Sequence, residues 1–528
     1  LTRKMKENTC YDKLINGVNE NGTIVFYGKK NPMRAFLRDV DLFAAALKKC
    51  GFEKGDVLSV YLPTSLQAIV AFYACSKIGV TANIVHPLMP LAALKENMKA
   101  VGAKGLMYYD ATLSSRDVFK DFNGILIECS VADYMGALSP FYKIYGLYKC
   151  RGNAKNTSYR AFLKSGKDGD FSQCGGAEDI VVTMHSGGTD GTPKILKISN
   201  RALNALVDNL LFLKDHETKG EYSLVMLPVF HAFGLGISVH YALTDGYNLC
   251  LASRFNARRA NEYIKRFNVT FVAGVPVMFK KMIAEKNFSG HRLKKLKQVW
   301  CGGDVLPENT LKTFDEKVRN AGGTARLMRG YGLSEVCGAC AANSYACYKD
   351  GSVGKPFENT TIKIIGDDGQ VLNNGEIGEI LVSTAAEFSG YVNDGDCKII
   401  LDGKPFVKTG DLGYVDDDGY LFVSGRKKRT VKINAINIFP FETEEKIRKL
   451  CGVKDCAVVD FDRNGKIEFS AYVVAENEKR FAVEKEIFDV VNPSLIKYAR
   501  VRNVKFVEAL PLTKMGKIDF NALKSKGD

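Results

Sequence analysis

Short apolar runs alternate with helical spacing over the first two thirds of the chain. Asp56 to Leu62, Asp179 to Met184, Tyr222 to Leu227, Asn248 to Leu251, Thr270 to Ala273 and Gln298 to Cys301 read as strands. Their near-continuous hydrophobicity predicts strands covered on both faces. Helical spacing falls between them: residues 65 to 79, with Leu66, Ile69, Val70, Phe72 and Tyr73 on or near one face, then Ala257 to Phe267 and Pro307 to Val318. That order, between about residues 38 and 335, predicts an α/β fold of mostly parallel sheets covered by helices. From about Gly354 short strands and turns take over. Asp367-Asp368-Gly369, Asn374-Gly375 and Asp417-Asp418-Gly419 are turn signals, so a smaller, partly antiparallel subdomain is expected. Past Arg426 the pattern is that of a small α+β unit, whose clearest hairpin spans Cys456 to Val474 and turns at Asn464-Gly465. The division expected is a large N-terminal domain over 1–425, with its β-rich part at about 354–425, and a small C-terminal domain over 426–528.

Composition adds limits. A chain of 528 residues with 46% hydrophobic and 25% charged residues can bury a large core without staples. The 14 cysteines form no framework of spacings and read as free thiols of a reducing cytoplasm. The close pair Cys337 and Cys340 lacks the second pair or nearby histidines that a zinc site needs. No segment reads as a signal peptide or as a membrane span. The net charge of +15 suits polyanionic ligands. Its cations look spread along the chain, which reads as a solvated basic surface ahead of a dedicated polyanion patch, and no nucleic-acid partner is expected. Residues 139 to 178 stand apart, and the stretch Ser139 to Gly152 interleaves aromatics with lysines. They read as a surface insertion packed on the body, with weak contact to a membrane surface as the other reading.

The strongest chemical signal is Ser186-Gly187-Gly188-Thr189-Asp190-Gly191-Thr192-Pro193-Lys194, directly after a predicted strand. Glycines let the backbone approach a phosphate, hydroxyls of Ser186, Thr189 and Thr192 add donors, and Lys194 adds charge. The run lacks the adjacent Gly-Lys of a kinase-type phosphate loop. It resembles the phosphate loop of the adenylate-forming superfamily, which holds acyl-CoA synthetases, peptide-synthetase adenylation domains and luciferases. The other motifs of that family follow in order. Pro228-Val229-Phe230-His231 resembles the segment beside the acid, and Gly302-Gly303-Asp304 the adenine wall. Tyr331-Gly332-Leu333-Ser334-Glu335 resembles the motif that stacks adenine and ligates magnesium. Asp411, in Thr409-Gly410-Asp411, and Arg426 match the ribose-binding residues. Pro511 to Lys517 resembles the motif of the catalytic lysine. The resemblance spans about residues 20 to 522.

The resemblance implies a two-step reaction with ATP, Mg2+ and coenzyme A. Lys517, Glu335 and His231 would serve catalysis, with Glu335 and Thr189 on the metal. Lys517 would bridge a carboxylate and the α-phosphate, so that two anions can meet. The C-terminal domain would then turn about Lys428 and bring the Lys432 to Asn437 loop to the site. The pocket for the acid would draw on Phe230, His231, Ala232, Phe233, Cys301, Gly330, Val336 and Cys337. No acidic anchor for an amino group follows His231, so the expected acid is apolar, fatty ahead of aryl. The chain ends eleven residues after Lys517, and the absence of a following carrier domain favours coenzyme A as acceptor. A stand-alone ligase that loads a separate carrier protein, and a non-catalytic nucleotide-binding member, are the alternatives. Three departures stand out: Asp190 where the family has a hydroxyl, Ala435 where it has glycine, and Asp519-Phe520 where it ends in a basic residue.

Overall fold

The computed structural model describes residues 8–110, 122–135, 156–186, 194–393, 395, 397–433, 436–463, 466–513 and 518–525. Two largely parallel sheets dominate the first part of the chain. One has the order Lys355–Pro356, Ala341–Ala342, Leu327–Tyr331, Gln298–Cys301, Val269–Gly274, Tyr222–Val225, Asn248–Leu251, Thr23–Phe26 and Lys29–Pro32. The other runs Asn156–Ser158, Ile125–Cys129, Ala103–Tyr109, Val57–Tyr61, Thr81–Ile84, Ile180–His185 and Ile195–Ser199. Strands such as Asn248–Leu251 and Val269–Gly274 are buried at every position, because helices or a second layer cover both faces. Every strand named from the sequence is present, within two residues at its ends.

The helix Leu66–Ile78 departs from the expectation of one apolar face. All of its residues are buried, Gln67, Ser76 and Lys77 included. Its side chains join a core shared with strands of both sheets, so no face is left for solvent. A helix buried all round must satisfy its polar groups internally. Tyr73 Oη lies 3.1 Å from His240 Nδ1, and His240 Nε2 lies 3.0 Å from Asn204 Oδ1. Lys77 reaches Asp41 at 2.6 Å.

The expectation of a surface insertion over 139 to 178 is corrected in part, while its aromatic–lysine stretch lies outside the described residues. Residues 136–155 lie outside the described residues. The strand Asn156–Ser158 extends the second sheet, and Tyr159, Phe162 and Leu163 of the following helix are buried in the core. This part of 139 to 178 is body, not insertion.

After Lys355–Pro356 an antiparallel sheet forms from Thr360–Ile365, Gly378–Thr384, Lys404–Val415 and Lys398–Leu401, with Leu421–Arg426 on Lys404–Val415. Its turns use Gly369, Gly375 and Gly419 at φ near +82°, the left-handed region that the Asp-Gly and Asn-Gly signals foretold. The last part holds the hairpin Val453–Arg463 with Lys466–Ala475, joined by a parallel strand Val501–Phe506. Its own core includes Ile447, Val458, Phe469 and Ile487. The fold is thus a large α/β domain followed by a small one. Among the described residues no helix is long and apolar enough to cross a membrane.

His240 makes the core sensitive to acid. Burial, aided by the charge of Lys13, drives its pKa down from 6.5 to about 3. The folded chain keeps the imidazole neutral, whereas the unfolded chain takes up a proton as pH falls below its ordinary value. The contribution is complete above that value and is lost on acidification, at up to about 1.4 kcal/mol per pH unit. The urea midpoint should therefore fall between about pH 7 and about pH 5, and His240→Gln should flatten that slope.

Candidate active site

The strand Ile180–His185 and the strand Ile195–Ser199 pair antiparallel, with His185 opposite Ile195. This hairpin carries the phosphate-loop sequence. Gly187, Gly188, Thr189, Asp190, Gly191, Thr192 and Pro193 lie outside the described residues, but both ends are fixed. Ser186 N donates to Lys194 O at 2.8 Å, and Lys194 N to Ser186 Oγ at 3.3 Å. Beneath it runs a buried polar chain. His185 Nε2 lies 3.3 Å from Asn97 Nδ2, Asn97 Oδ1 accepts from Asn83 at 2.7 Å, and Asn83 Nδ2 reaches Ser59 Oγ at 2.9 Å. Burial first, then the charge of His86, lowers the pKa of His185, so a neutral ring sits next to the loop.

Tyr391 joins this hairpin to the predicted metal ligand. Its hydroxyl donates to Glu335 Oε1 at 3.0 Å. Its ring lies 4.8 Å below Lys194 Nζ, a cation–π distance. Backbone bonds lock the arrangement: Val392 N to Ile195 O at 2.9 Å and Phe388 N to Glu335 O at 2.9 Å. Burial, followed by the Glu335 charge, raises the Tyr391 pKa, which keeps the hydroxyl a donor. Sequence reading missed Tyr391. Its partners are 56 and 197 residues away, and Ser389-Gly390-Tyr391 by itself reads as a turn.

A second polar group forms around Asp411. Tyr331 Oη donates to Asp411 Oδ2 at 2.7 Å, and Arg426 Nε lies 2.9 Å from Asp411 Oδ1. Strand register puts Asp411 opposite Arg426. The Asp411 N–H donates to Thr409 Oγ1 at 3.0 Å. Tyr331 is 9% exposed, and burial ahead of the Asp411 charge raises its pKa well above the usual value.

The segments assigned to the acid converge. A Cβ built on Gly302 would lie 3.6 Å from the Phe233 ring and 3.3 Å from Gly330 O. One built on Gly338 would lie 3.0 Å from Phe233 Cα, and one on Gly236 3.2 Å from Cys337 O. Phe233 to Tyr241 forms a π-helix, a form met often at functional sites. Cys337 holds φ +56°, a left-handed conformation that costs a non-glycine residue energy. Val336 and Cys337 are buried, as are Ala232 and Cys301. Phe230 packs between His231 at 4.8 Å and His86 at 4.6 Å, ring centre to ring centre. His86 too was missing from the sequence reading, since it lies in an irregular stretch after Thr81–Ile84.

The profile of the AMP-binding enzyme family matches residues 21–392, and that of the AMP-binding enzyme C-terminal domain matches residues 442–517. The chain belongs to this family of adenylate-forming ligases. Among its relatives, "Probable 4-coumarate--CoA ligase 3" of Dictyostelium discoideum is 27% identical over 505 residues, 92% of this chain and 89% of the relative. "Long-chain-fatty-acid--CoA ligase" of Bacillus subtilis (strain 168) is 27% identical over 519 residues, 94% and 90%. Two solved structures share the fold. ATP-bound MatB from Rhodopseudomonas palustris has a TM-score of 0.81 at 19% identity, with 99% of each chain covered. The o-succinylbenzoate CoA synthetase of Bacillus subtilis, in complex with its acyl-adenylate intermediate, has 0.77 at 20%, with 98% of each covered.

Other assigned positions of this AMP-binding enzyme stand apart or lie outside the described residues. Gly303 and Asp304 are exposed, and Asp304 Oδ1 accepts from Val305 N at 2.8 Å. Gly332 packs on Ala339, and Ser334 O accepts from Cys337 N at 3.1 Å. Lys432 stands opposite Asn437 in a two-stranded ladder, with its side chain outside the description. Ala435 and Lys517 lie outside the described residues. Near Lys517, Leu512 bridges Ile518, and Asp519 N donates to Pro511 O at 2.8 Å. Asp519 and Phe520 have structural work. Asp519 caps the helix Phe520–Lys524 through Ala522 N at 3.0 Å, and Phe520 lies 3.6 Å under the Arg429 guanidinium. The short turn Lys427–Arg429 contains Lys428 between two anchored cations. Lys427 pairs with Glu379 at 2.9 Å, and Arg429 with Glu444 at 2.6 Å.

Gly338 tests the packing of the pocket. Its φ of +112° and the 3.0 Å approach to Phe233 leave no room for a methyl group. Gly338→Ala should lower stability by about 2 kcal/mol, read as a lower urea midpoint.

Proposed function

We propose that this chain joins an apolar carboxylic acid, a fatty acid ahead of an aryl acid, to coenzyme A through an acyl-adenylate. The chain is an acid–thiol ligase of the AMP-forming acyl-CoA synthetase class. The observation that carries the finer reading is one short segment with two neighbours of opposite character. Tyr331, at its start, binds the buried Asp411, and Cys337 and Gly338, at its end, press on Phe233 and its helix. A polar clamp and an apolar wall thus lie seven residues apart on one backbone. No charged side chain occurs in residues 232 to 239 or 336 to 342. An ammonium group would find no partner along that wall, whereas an alkyl chain or ring would bury its surface there.

The clamp fits a nucleotide. A carboxylate offers about four acceptor sites. Asp411 accepts from Tyr331 and faces Arg426, and a carboxylate held in this way beside a guanidinium suits the hydroxyls of a ribose. Glu335 keeps an oxygen beyond its Tyr391 bond, a hard ligand suited to Mg2+. Magnesium, when bound there, would neutralise charge on the phosphates. Among the described residues no group of three or more His, Cys, Asp and Glu side chains could hold a metal, and a magnesium shared with substrate phosphates needs none.

In the first step the acid carboxylate displaces pyrophosphate from the α-phosphate. Lys194, held over Tyr391, lends charge to the phosphates, and Lys517 neutralises the two meeting anions. In the second step a thiolate attacks the acyl carbon and AMP leaves. The two steps need different neighbours in one pocket, and the turn at Lys428 suits that exchange. Its flanking cations are each bound to a nearly buried carboxylate, Glu379 on one side and Glu444 on the other, which marks this short turn as the junction between two anchored bodies. The boundary at Arg426 between the large and small domains rests on the same feature.

Lys517→Ala should slow adenylate formation roughly a hundredfold, while thioester formation from supplied acyl-adenylate persists. Lys428→Pro should do the reverse, because proline fixes φ at the turn. Pyrophosphate release and acyl-CoA formation, measured separately across acids of graded length, read both. Undiminished adenylate formation by a folded Lys517→Ala chain, or exchange driven only by amino acids, would sink this reading. Loss of thioester on omitting coenzyme A, with no rescue by a carrier protein, identifies the acceptor. Tyr391→Phe keeps the ring under Lys194 and removes the donor to Glu335. It should raise the magnesium concentration for half-maximal rate about tenfold, with the KM for the acid unchanged.

A further inference from the structure

The charge of the chain is not evenly placed, and the expectation of spread cations is corrected here. Between Arg254 and Lys297 twelve Lys and Arg stand against Glu262 and Glu285, a net of +10 in a chain of +15. These residues belong mainly to the helix Ala257–Phe267, the helix Pro276–Ala284 and the turn His291–Lys295. Their apolar sides share one core, with Ile264, Phe267, Phe279, Met282, Phe288 and Leu293. The spacing that buries Ala257, Ala260, Ile264 and Phe267 forces Arg258, Arg259 and Arg266 outward. Lys280, Lys281, Lys294 and Lys295 are exposed as well.

Two surface depressions, of about 510 and 590 Å3, adjoin on this face and share Glu262. The first is lined by Arg254, Arg258 and Arg259, the second by Lys265, Arg266 and Arg292. The edge strand Lys29–Pro32 continues the charge. Lys30 Nζ stands 6.0 Å from the Phe267 ring, and Tyr27 at its rim is 41% exposed. Among the described residues, the carboxylate pairs made by the twelve cations are Arg258 with Glu262 at 3.4 Å and Lys297 with Glu221. Crowded like charges repel and destabilise the fold that holds them, and the core beneath does not require them. An anionic partner removes that repulsion.

We propose that this face docks on an anionic bilayer, with lipid headgroups in the furrow along Ala257–Phe267. The cations are spread over three adjoining elements, as a planar field of headgroup charge requires. Among the described residues the rings on this face are few: Tyr27 and His291 are exposed, Phe255 is partly covered and Tyr263 is buried, which is little surface to stack a single strand. An apolar acid, the substrate class of the reading above, partitions into bilayers. Docking there would shorten its transfer, yet the docking stands on charge and holds whatever acid is used.

The test uses the full chain and vesicles of phosphatidylcholine, alone or mixed with phosphatidylserine. Co-sedimentation with the mixed vesicles only, weakening as salt rises, is expected. A variant with Arg259, Arg266, Lys281, Lys294 and Lys295 all changed to Gln should bind at least about tenfold more weakly, each basic residue near such a surface giving roughly fivefold. A charge-matched control with Lys164, Lys167, Lys404, Lys449 and Lys454 changed to Gln should bind within about twofold of the parent, since its charges lie off the docking face. Acid-dependent pyrophosphate exchange should be the same in all three, which separates this result from any failure of the ligase reading. Equal vesicle binding by the two variants, no binding to the mixed vesicles at low salt, or tighter binding to single-stranded nucleic acid at matched salt would each overturn the proposal.

Discussion

A carboxylate almost removed from water holds the site together. Asp411 is 6% exposed, and a buried charge without partners costs several kcal/mol. Its partners come from separate parts of the chain. Tyr331 ends a strand of the parallel sheet, Asp411 lies within an antiparallel strand, and Arg426 ends the next strand, one residue before the turn Lys427–Arg429. Satisfying this one charge docks the β-rich part on the parallel sheet and sets where the turn begins. Arg426 is half exposed, so the cation that balances the buried carboxylate also reaches the surface, where the proposed nucleotide would meet it.

The same logic repeats at Tyr391. Its hydroxyl donates to Glu335 and its ring faces Lys194, so one side chain touches both the carboxylate proposed for the metal and the lysine that ends the glycine-rich run. A tyrosine between them, with its pKa raised, presents a donor to the acid and a π-face to the cation.

Regular elements were legible in the sequence because parallel strands buried on both faces must be apolar without interruption. Asn248–Leu251 and Gln298–Cys301 match the reading residue for residue. Tyr331, Asp411 and Arg426 were named through the family resemblance, and the structure brings the three side chains together. What could not be read was set by contacts distant in sequence. Helical spacing at 65 to 79 gave no sign that a second sheet layer covers the polar side of Leu66–Ile78. Tyr391 lacks a local pattern, and its role appears only when the hairpin ending at Lys194 lies against it. Asp519 and Phe520 looked like losses from a basic motif. They are a helix cap and a platform for Arg429, so the departure reflects how the small domain is tied together and carries no argument against catalysis.

The concentration of charge between Arg254 and Lys297 separates two ideas that net charge merges. A nucleotide and a thiol cofactor call for a few cations at the site, and Lys194 and Arg426 lie outside that stretch. Outside it the chain keeps only a third of its excess charge. The helices that carry the excess have their apolar sides committed to one core, and the exposed cations take no part in it. Side chains that stand outside that core and repel one another fit the anionic surface proposed for this face.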